Sequence, residues 1–166
     1  NLDGATIVGE ATDGADNNTE TIGSVIFDRG SRVAVASQNN GDALLTVASV
    51  SRAASGTGAG TGRGTLVFVP SNAGPTVTTV AFGAALTAAS PQQQVKFTSA
   101  PTASATSAVS GMLPGYYIDG QSHRFVTHNA TTGIVPVADG SMVAMPAGAG
   151  LGTEVVNLTA ATTMAS

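Results

Sequence analysis

The stretch Thr65-Leu66-Val67-Phe68-Val69 decides the fold class of this chain. Successive residues of a β-strand point to opposite faces, so Leu66 and Phe68 share one bulky apolar face while the smaller side chains share the other. The same alternation recurs in Arg32-Val33-Ala34-Val35-Ala36 and in Val95-Lys96-Phe97-Thr98. These stretches predict strands that bury one face in a narrow core.

Short apolar runs bounded by Gly, Asn, Asp or Pro recur along the whole chain, and helical periodicity is scarce. This pattern predicts an all-β protein. Strands of this kind fit a right-handed parallel β-helix, or β-solenoid, and they also fit a β-sandwich or a jelly-roll-like domain. The predicted strands are residues 22–28, 32–37, 43–50, 65–69, 77–82, 94–98, 115–119, 124–128, 134–138 and 154–158.

A spacing of 22 residues favours the solenoid among these folds. Ile22, Leu44 and Leu66 each open an apolar run that is followed by a turn region rich in Asn, Ser or Gly. A period of about 20 to 30 residues is typical of one rung of a parallel β-solenoid. We therefore predict solenoid rungs over residues 1–110, with a glycine-rich loop near residues 55–64.

Residues 111–137 form the most ordered pattern in an otherwise bland sequence. A Gly-Met-Leu-Pro turn at Gly111 is followed by the aromatic pair Tyr116 and Tyr117, by a strand centred on Phe125 and by a Gly-Ile-Val-Pro exit. We predict that residues 111–138 form an aromatic connector module and that residues 139–166 resume the rungs. Because the chain starts without Met, we also expect it to be a piece of a longer protein.

The composition of the chain narrows its partners. Lys and Arg total 6 against 10 acidic residues, and the formal net charge is −4. Nucleic-acid binding depends on clustered Lys and Arg side chains, so we expect no nucleic-acid partner. The chain has no Cys, so its stability must come from hydrogen-bonded ladders and packing. No apolar run approaches the roughly 18 residues of a membrane span, and we expect none.

Few residues are candidates for chemistry. No Gly-x-Ser-x-Gly elbow or paired catalytic carboxylates stand out, so we predict a protein that is not an enzyme and has no catalytic residues. His123 and His128 flank a predicted strand, and because residues five apart on a strand point to opposite faces, we expect no joint metal site from them. Tyr116 and Tyr117 are candidate surface contacts; adjacent strand residues face opposite ways, so one should be core and the other available.

A calcium ion is the one cofactor for which the sequence offers ligands. Carboxylates cluster in a loop rich in Asp, Gly and Asn, and hard oxygen ligands of this type suit Ca²⁺. The ordered spacing of an EF-hand loop is absent. The candidate ligands are Glu10, Asp13, Asp16 and Glu20.

The order of the short motifs over residues 41–137 resembles that of repeat-rich, autotransporter-like passenger proteins of bacterial surfaces, which include adhesins. In that family a Ser-Arg-Ala turn precedes a Gly-Thr-Leu strand and a Val-x-Phe strand, and a Gly-Ile-Leu-Pro turn then opens an aromatic module. The matching segments here are Ser51-Arg52-Ala53, Gly64-Thr65-Leu66, Val95-Lys96-Phe97, Gly111-Met112-Leu113-Pro114 and Phe125-Val126-Thr127-His128.

The resemblance implies a secreted structural protein without catalytic residues. We therefore expect an extracellular or cell-surface adhesin stalk, or a subunit of a matrix or filament. Its partners would be further copies or neighbouring repeats of the same chain, surface glycans or host proteins. Two other functions fit the composition: an exported carbohydrate-binding or carbohydrate-active module, and a component of a virion or tail fibre.

Overall fold

The computed structural model describes residues 6–10, 18–37, 42–54, 64–72, 81–83, 93–103, 109 and 111–141. These residues form an all-β structure, as the sequence predicts, and a single 3-10 turn is their only helical element. None of their helical segments has the length and apolarity needed to cross a membrane.

Ten strands run through this part of the chain, most of them short and rich in β-branched residues. Val, Ile and Thr favour strands because their branched side chains pack well on a pleated surface. The strands are β1 (Thr6–Glu10), β2 (Asn18–Ile22), β3 (Val25–Phe27), β4 (Ser31–Ser37), β5 (Ala43–Arg52), β6 (Leu66–Asn72), β7 (Gln93–Ser99), β8 (Tyr117–Asp119), β9 (Arg124–Asn129) and β10 (Gly133–Pro136), followed by the 3-10 turn Asp139–Ser141.

The chain passes back and forth between two sheets, although β2 and β3 are consecutive in one sheet and β8, β9 and β10 in the other. The first sheet has the order β1-β4-β6-β8-β9-β10. The second sheet contains β2, β3 and β7, each paired with β5. The pairs β1–β4, β4–β6 and β6–β8 are parallel, as are β2–β5, β3–β5 and β5–β7. Each time the chain returns to a sheet, its next strand therefore lies beside an earlier one and runs in the same direction.

The register differs from the 22-residue spacing predicted by the sequence. Ile22 pairs with Val47 rather than with Leu44, and Leu66 lies in the other sheet, opposite Ser31. The offset is 25 residues between β2 and β5, 35 between β4 and β6, and 50 between β5 and β7. Connections of unequal length set these offsets, so aligning the first apolar residue of each run does not find the register.

In-register columns of side chains fill the space between the sheets. Val33 pairs with Phe68 in one sheet, and Val47 pairs with Phe97 in the other. Phe68 is completely buried, as its place in an alternating strand predicts. Its ring lies edge-on to Phe97, with ring centroids 6.0 Å apart, and stacks on Tyr117 at 6.2 Å. Aromatic contacts of this kind tie the two sheets together.

The chain direction reverses after β8. β8 extends the parallel sheet beside β6, β9 runs antiparallel to β8, and β10 runs antiparallel to β9. Gly133, with a φ of 75°, begins β10 and lies so close to the carbonyl of Val95 in β7 that a side chain there would collide with it. This close approach places the β9–β10 hairpin against the second sheet.

Most predicted strands coincide with observed ones, with shifted ends. The predicted strand over residues 22–28 is divided into the end of β2 and β3, and β1 was not predicted at all. Residues 81–83, at the end of another predicted strand, form a bend, in which Phe82 is buried. The glycine-rich loop at residues 55–63, the rest of the strand predicted at 77–82 and the rung predicted beyond residue 141 lie outside the described residues.

Candidate interaction surfaces

The outer edges of β1, β2 and β3 form the first candidate surface, here called the open edge. In the part of the chain that the structure describes, β1 pairs only with β4, and β2 and β3 pair only with β5. Val8 in β1 and Ile26 in β3 are 54% and 43% exposed, the most exposed large apolar side chains described. A free strand edge presents unpaired N–H and C=O groups and is a template for another strand.

Glu20 occupies the middle of this edge. It pairs with Leu45, which faces the core and is 1% exposed, just as Ile22 pairs with the buried Val47. Paired residues of a parallel ladder share a face, so Glu20 stands on the inward side of the outermost strand. Ile22 is half-buried against the core, whereas Glu20 is exposed. An inward-facing charge on an edge strand is a known device against unwanted strand pairing.

The opposite edge of the second sheet, formed by β7, is covered. The backbone N–H of Phe97 in β7 donates a hydrogen bond to Nε2 of His128 in β9, at 3.3 Å. The two rings also contact each other, with centroids 5.1 Å apart. Together with Gly133 against Val95, this contact covers part of β7 with the hairpin. The second sheet therefore has an open edge at β2 and β3 and a partly covered edge at β7.

The two histidines have different surroundings. His128 is half-buried, and desolvation by burial, assisted by the positive charge of Lys96, lowers the pKa of its imidazole. A neutral ring is the form that accepts the hydrogen bond from Phe97. His123 is exposed in the turn between β8 and β9, with a φ of 58°. Across the described ranges, no three His, Asp or Glu side chains come together as a metal site.

Tyr117 is core and Tyr116 is partly exposed, but strand alternation is not the reason, because Tyr116 lies in the turn before β8 and both rings lie on the same side, near Phe27. Tyr117 is 1% exposed, and burial, together with the neighbouring Tyr116, raises the pKa of its phenol. Tyr116 is half-buried; its ring lies 4.7 Å from that of Tyr117 and 6.0 Å from that of Phe27. The guanidinium carbon of Arg52 lies 4.0 Å above the Tyr116 ring, a cation–π contact. The surface feature is thus an Arg52–Tyr116 pair rather than two exposed tyrosines.

Asp119 organises the turn beside this pair. Its Oδ2 accepts hydrogen bonds from the backbone N–H of Ser122 at 2.7 Å and from the Ser122 hydroxyl at 2.5 Å. Its Oδ1 is buried without a hydrogen-bond partner in the described part of the chain. These contacts close the turn from β8 to β9 and so fix where the hairpin starts.

The predicted calcium ligands do not form a described site. Asp13 and Asp16 lie outside the described residues, as does the side chain of Glu10. Glu20 is exposed on β2, while Glu10 belongs to β1 in the other sheet. The calcium site stays a prediction.

Sequence reasoning missed Arg52, which lies over a ring 64 positions later in the chain, and it missed the contact of His128 with β7. Neither contact has a local signal, because each depends on the register of the sheets. Neither a family model, nor a curated protein, nor a solved structure matches this chain.

Proposed function

We propose that this chain is a non-enzymatic structural segment of a bacterial extracellular or cell-surface protein, serving as an adhesin stalk or as a subunit of a matrix or filament. The observation that carries the proposal is the parallel ladder with an open edge at β1, β2 and β3. Ladders of this kind build elongated bodies in which each repeat contacts only its neighbours.

Within this proposal the fold is a right-handed parallel β-solenoid. Strands that alternate between two sheets and return in parallel beside their predecessors support it. So do the columns of buried side chains that run through successive strands, such as Ser31, Leu66 and Tyr117. Sandwiches and jelly rolls are built mainly from antiparallel strands, which here are confined to β8, β9 and β10. A crossover between parallel strands of one sheet is right-handed in nearly all proteins.

The resemblance to autotransporter-like passenger proteins belongs to the same proposal. Its motifs fall on or beside β5, β6, β7 and β9 and on the turn at Gly111. In this account the rungs occupy residues 1–110, the connector occupies residues 111–138, and the rungs resume over residues 139–166. The β9–β10 hairpin of the connector packs against β7, a strand of the rungs. This packing supports a boundary between the rungs and the connector.

The partners follow from the two candidate surfaces. The open edge would receive a neighbouring repeat or another copy of the chain through main-chain hydrogen bonds. The Arg52–Tyr116 pair would contact surface glycans or host proteins, because a tyrosine ring combines an apolar face with a polar tip. That aromatic pair is also the feature that would serve a carbohydrate-binding module, the second candidate function.

Electron microscopy combined with light scattering of the full 166-residue chain tests the proposal. We expect rods or filaments of constant width that lengthen with protein concentration. Ile26→Lys, which places a charge on the open edge, should shorten them, whereas Thr98→Lys, on an exposed position of β7, should not. Monodisperse globular particles at every concentration would reject the assembly, and intertwined trimers would instead favour a virion or tail-fibre component.

A further inference from the structure

A shallow groove with a volume of about 420 Å³ crosses the outer face of the first sheet, where β1, β4 and β6 begin. It lies on the opposite face of these strands from the buried aromatic cluster. Its walls combine one cation with valine side chains and two glycines. The lining residues are Thr6, Gly30, Ser31, Arg32, Val67, Val69 and Gly120.

The two glycines keep this groove open. A Cβ at Gly120 would lie 2.7 Å from Cγ1 of Val67 and 2.8 Å from Cγ2 of Val69, so any side chain there would crowd the valine methyl groups. A Cβ at Gly30 would meet nothing within 4 Å, and the backbone there is outside the positive-φ region that favours glycine. A side chain can therefore be added at Gly30 without strain, and because Gly30 lines the groove, a large side chain there would take up part of its open space.

Arg32 gives the groove its charge. It is exposed, and it lies in register between Thr6 and Val67. In the described part of the chain its guanidinium forms no hydrogen bond or ion pair, whereas Arg124 is paired with Asp139 at 2.5 Å. The lining contains no carboxylate. A guanidinium presents a planar fork of donors that matches a carboxylate group.

We propose that this groove binds an aliphatic carboxylate. The carboxylate pairs with the Arg32 guanidinium, and the aliphatic part lies against the methyl groups of Val67 and Val69 that Gly120 leaves uncovered. The charge sets the orientation, and the apolar contact selects for a hydrocarbon group next to the acid. This site does not rest on the proposed structural function.

Hexanoate is the probe for this site, with hexanol as the matched uncharged compound. In titrations of the full chain followed by amide NMR shifts, hexanoate should give saturable shifts at Gly30, Arg32 and Gly120. Hexanol should bind about tenfold more weakly, because a charge-assisted hydrogen bond is lost. Equal binding of the two compounds, or the absence of saturable shifts, overturns the proposal.

Two variants locate the site within the fold. Arg32→Gln should weaken hexanoate binding about tenfold, and Gly30→Leu should abolish it by filling the groove. Gly23→Leu is the matched control, since a Cβ at Gly23 also meets nothing within 4 Å but lies away from the groove lining. Retained binding in Gly30→Leu, with an unchanged melting temperature, contradicts the assignment.

A second titration distinguishes the sources of such a carboxylate. An N-acetylated Gly-Val dipeptide with a free carboxylate represents a protein C-terminus, and octanoate represents a fatty acid. Tighter binding of the dipeptide assigns the groove to chain termini, and tighter binding of octanoate assigns it to fatty acids. Failure of both, like failure of hexanoate, excludes the site.

Discussion

Glu20 lies in register beside Leu45, so a carboxylate occupies the inward-facing position of the outermost strand of the second sheet. The next position in this column, Val95, is completely buried. A column that is apolar in its interior thus ends in an acidic residue at the open edge. This arrangement limits which strands can be added, because a new inward-facing residue would have to lie against an acidic side chain.

Replacing Glu20 by Leu should strengthen self-association of the chain. The apolar column then extends to the open edge, and burying one leucine side chain contributes about 1.5 to 3 kcal/mol, or at least about tenfold in the association constant. Thr19→Leu, one position along the strand and exposed on the other face, is the matched control. Sedimentation velocity over a range of concentrations measures the difference. Equal association of the two variants would show that the charge of Glu20 does not limit strand addition.

Replacing Phe68 by Asp should unfold the chain or come close to it. Phe68 is completely buried between Phe97 and Tyr117, so the variant loses aromatic packing and places a carboxylate in the core. We expect a loss of at least about 4 kcal/mol in the free energy of unfolding, against about 1 kcal/mol for Phe68→Leu. Thermal and denaturant unfolding compare the two, and an unchanged melting temperature in Phe68→Asp would place residue 68 outside the core.

The half-buried His128 should make the chain less stable in mild acid. Its pKa in the folded state is lowered from the ordinary value of 6.5 by desolvation and by Lys96. The unfolded chain therefore takes up the proton first, so the free energy of unfolding is constant above about pH 6.5 and falls as the pH decreases below it. Denaturant unfolding between pH 5 and pH 8 measures this loss.

His128→Gln should weaken this pH dependence, whereas His123→Gln, at an exposed turn position, should retain it. The acidic residues also bind protons below pH 5, so the comparison is restricted to the range above it. If both variants reduce the pH dependence of the free energy of unfolding equally, the environment of His128 beside Phe97 does not determine that dependence.

Tyr117 should resist ionisation in alkaline solution while the chain is folded. Burial raises the pKa of its phenol above the ordinary value of 10.0, so the stability contributed by the neutral phenol is present below pH 10 and lost as the pH rises further. The chain has two tyrosines, and Tyr116→Phe leaves Tyr117 as the only one to titrate. Ultraviolet absorbance of this variant then follows one group. Ionisation at the ordinary value in folded protein would show that the Tyr117 ring is solvated.

The strands of the core could be predicted from the sequence because their alternation is strong. The bulky apolar residues on the alternating face of β4, β5, β6 and β7 are buried, and burial of Phe68 follows directly, although small and polar residues of β4 and β7 such as Ala34 and Gln94 are buried as well. β1 and β2 were missed or misplaced for a physical reason. Asn18-Thr19-Glu20-Thr21 is polar because β2 is an edge strand with few covered side chains, so it lacks the apolar run that marks a buried strand.

The candidate surfaces could be predicted only in part. Burial of Tyr117 agrees with the prediction that one tyrosine is core, but Tyr116 precedes β8 and its ring packs beside that of Tyr117 rather than on the opposite face. The Arg52–Tyr116 contact, the cover that His128 provides for β7 and the inward position of Glu20 all depend on register. The register of these strands is set by connections of unequal length, and no regular spacing in the sequence reveals those lengths.

The most direct test of the account is an engineered cross-link between β5 and β7. Thr46 and Lys96 are register partners on the half-buried outer face of these strands, and the chain has no cysteine of its own. Neighbouring strands lie about 4.8 Å apart, within reach of a disulfide, whereas Thr98 lies two positions further along, about 8 Å from Thr46.

Mild oxidation of the Thr46→Cys, Lys96→Cys double variant, followed by peptide mass mapping, is therefore the decisive measurement. The parallel ladder predicts nearly complete cross-linking of residues 46 and 96 and little in the control Thr46→Cys, Thr98→Cys. Equal cross-linking in the two variants, or none in either, would contradict the ladder and with it the solenoid on which the proposed function rests.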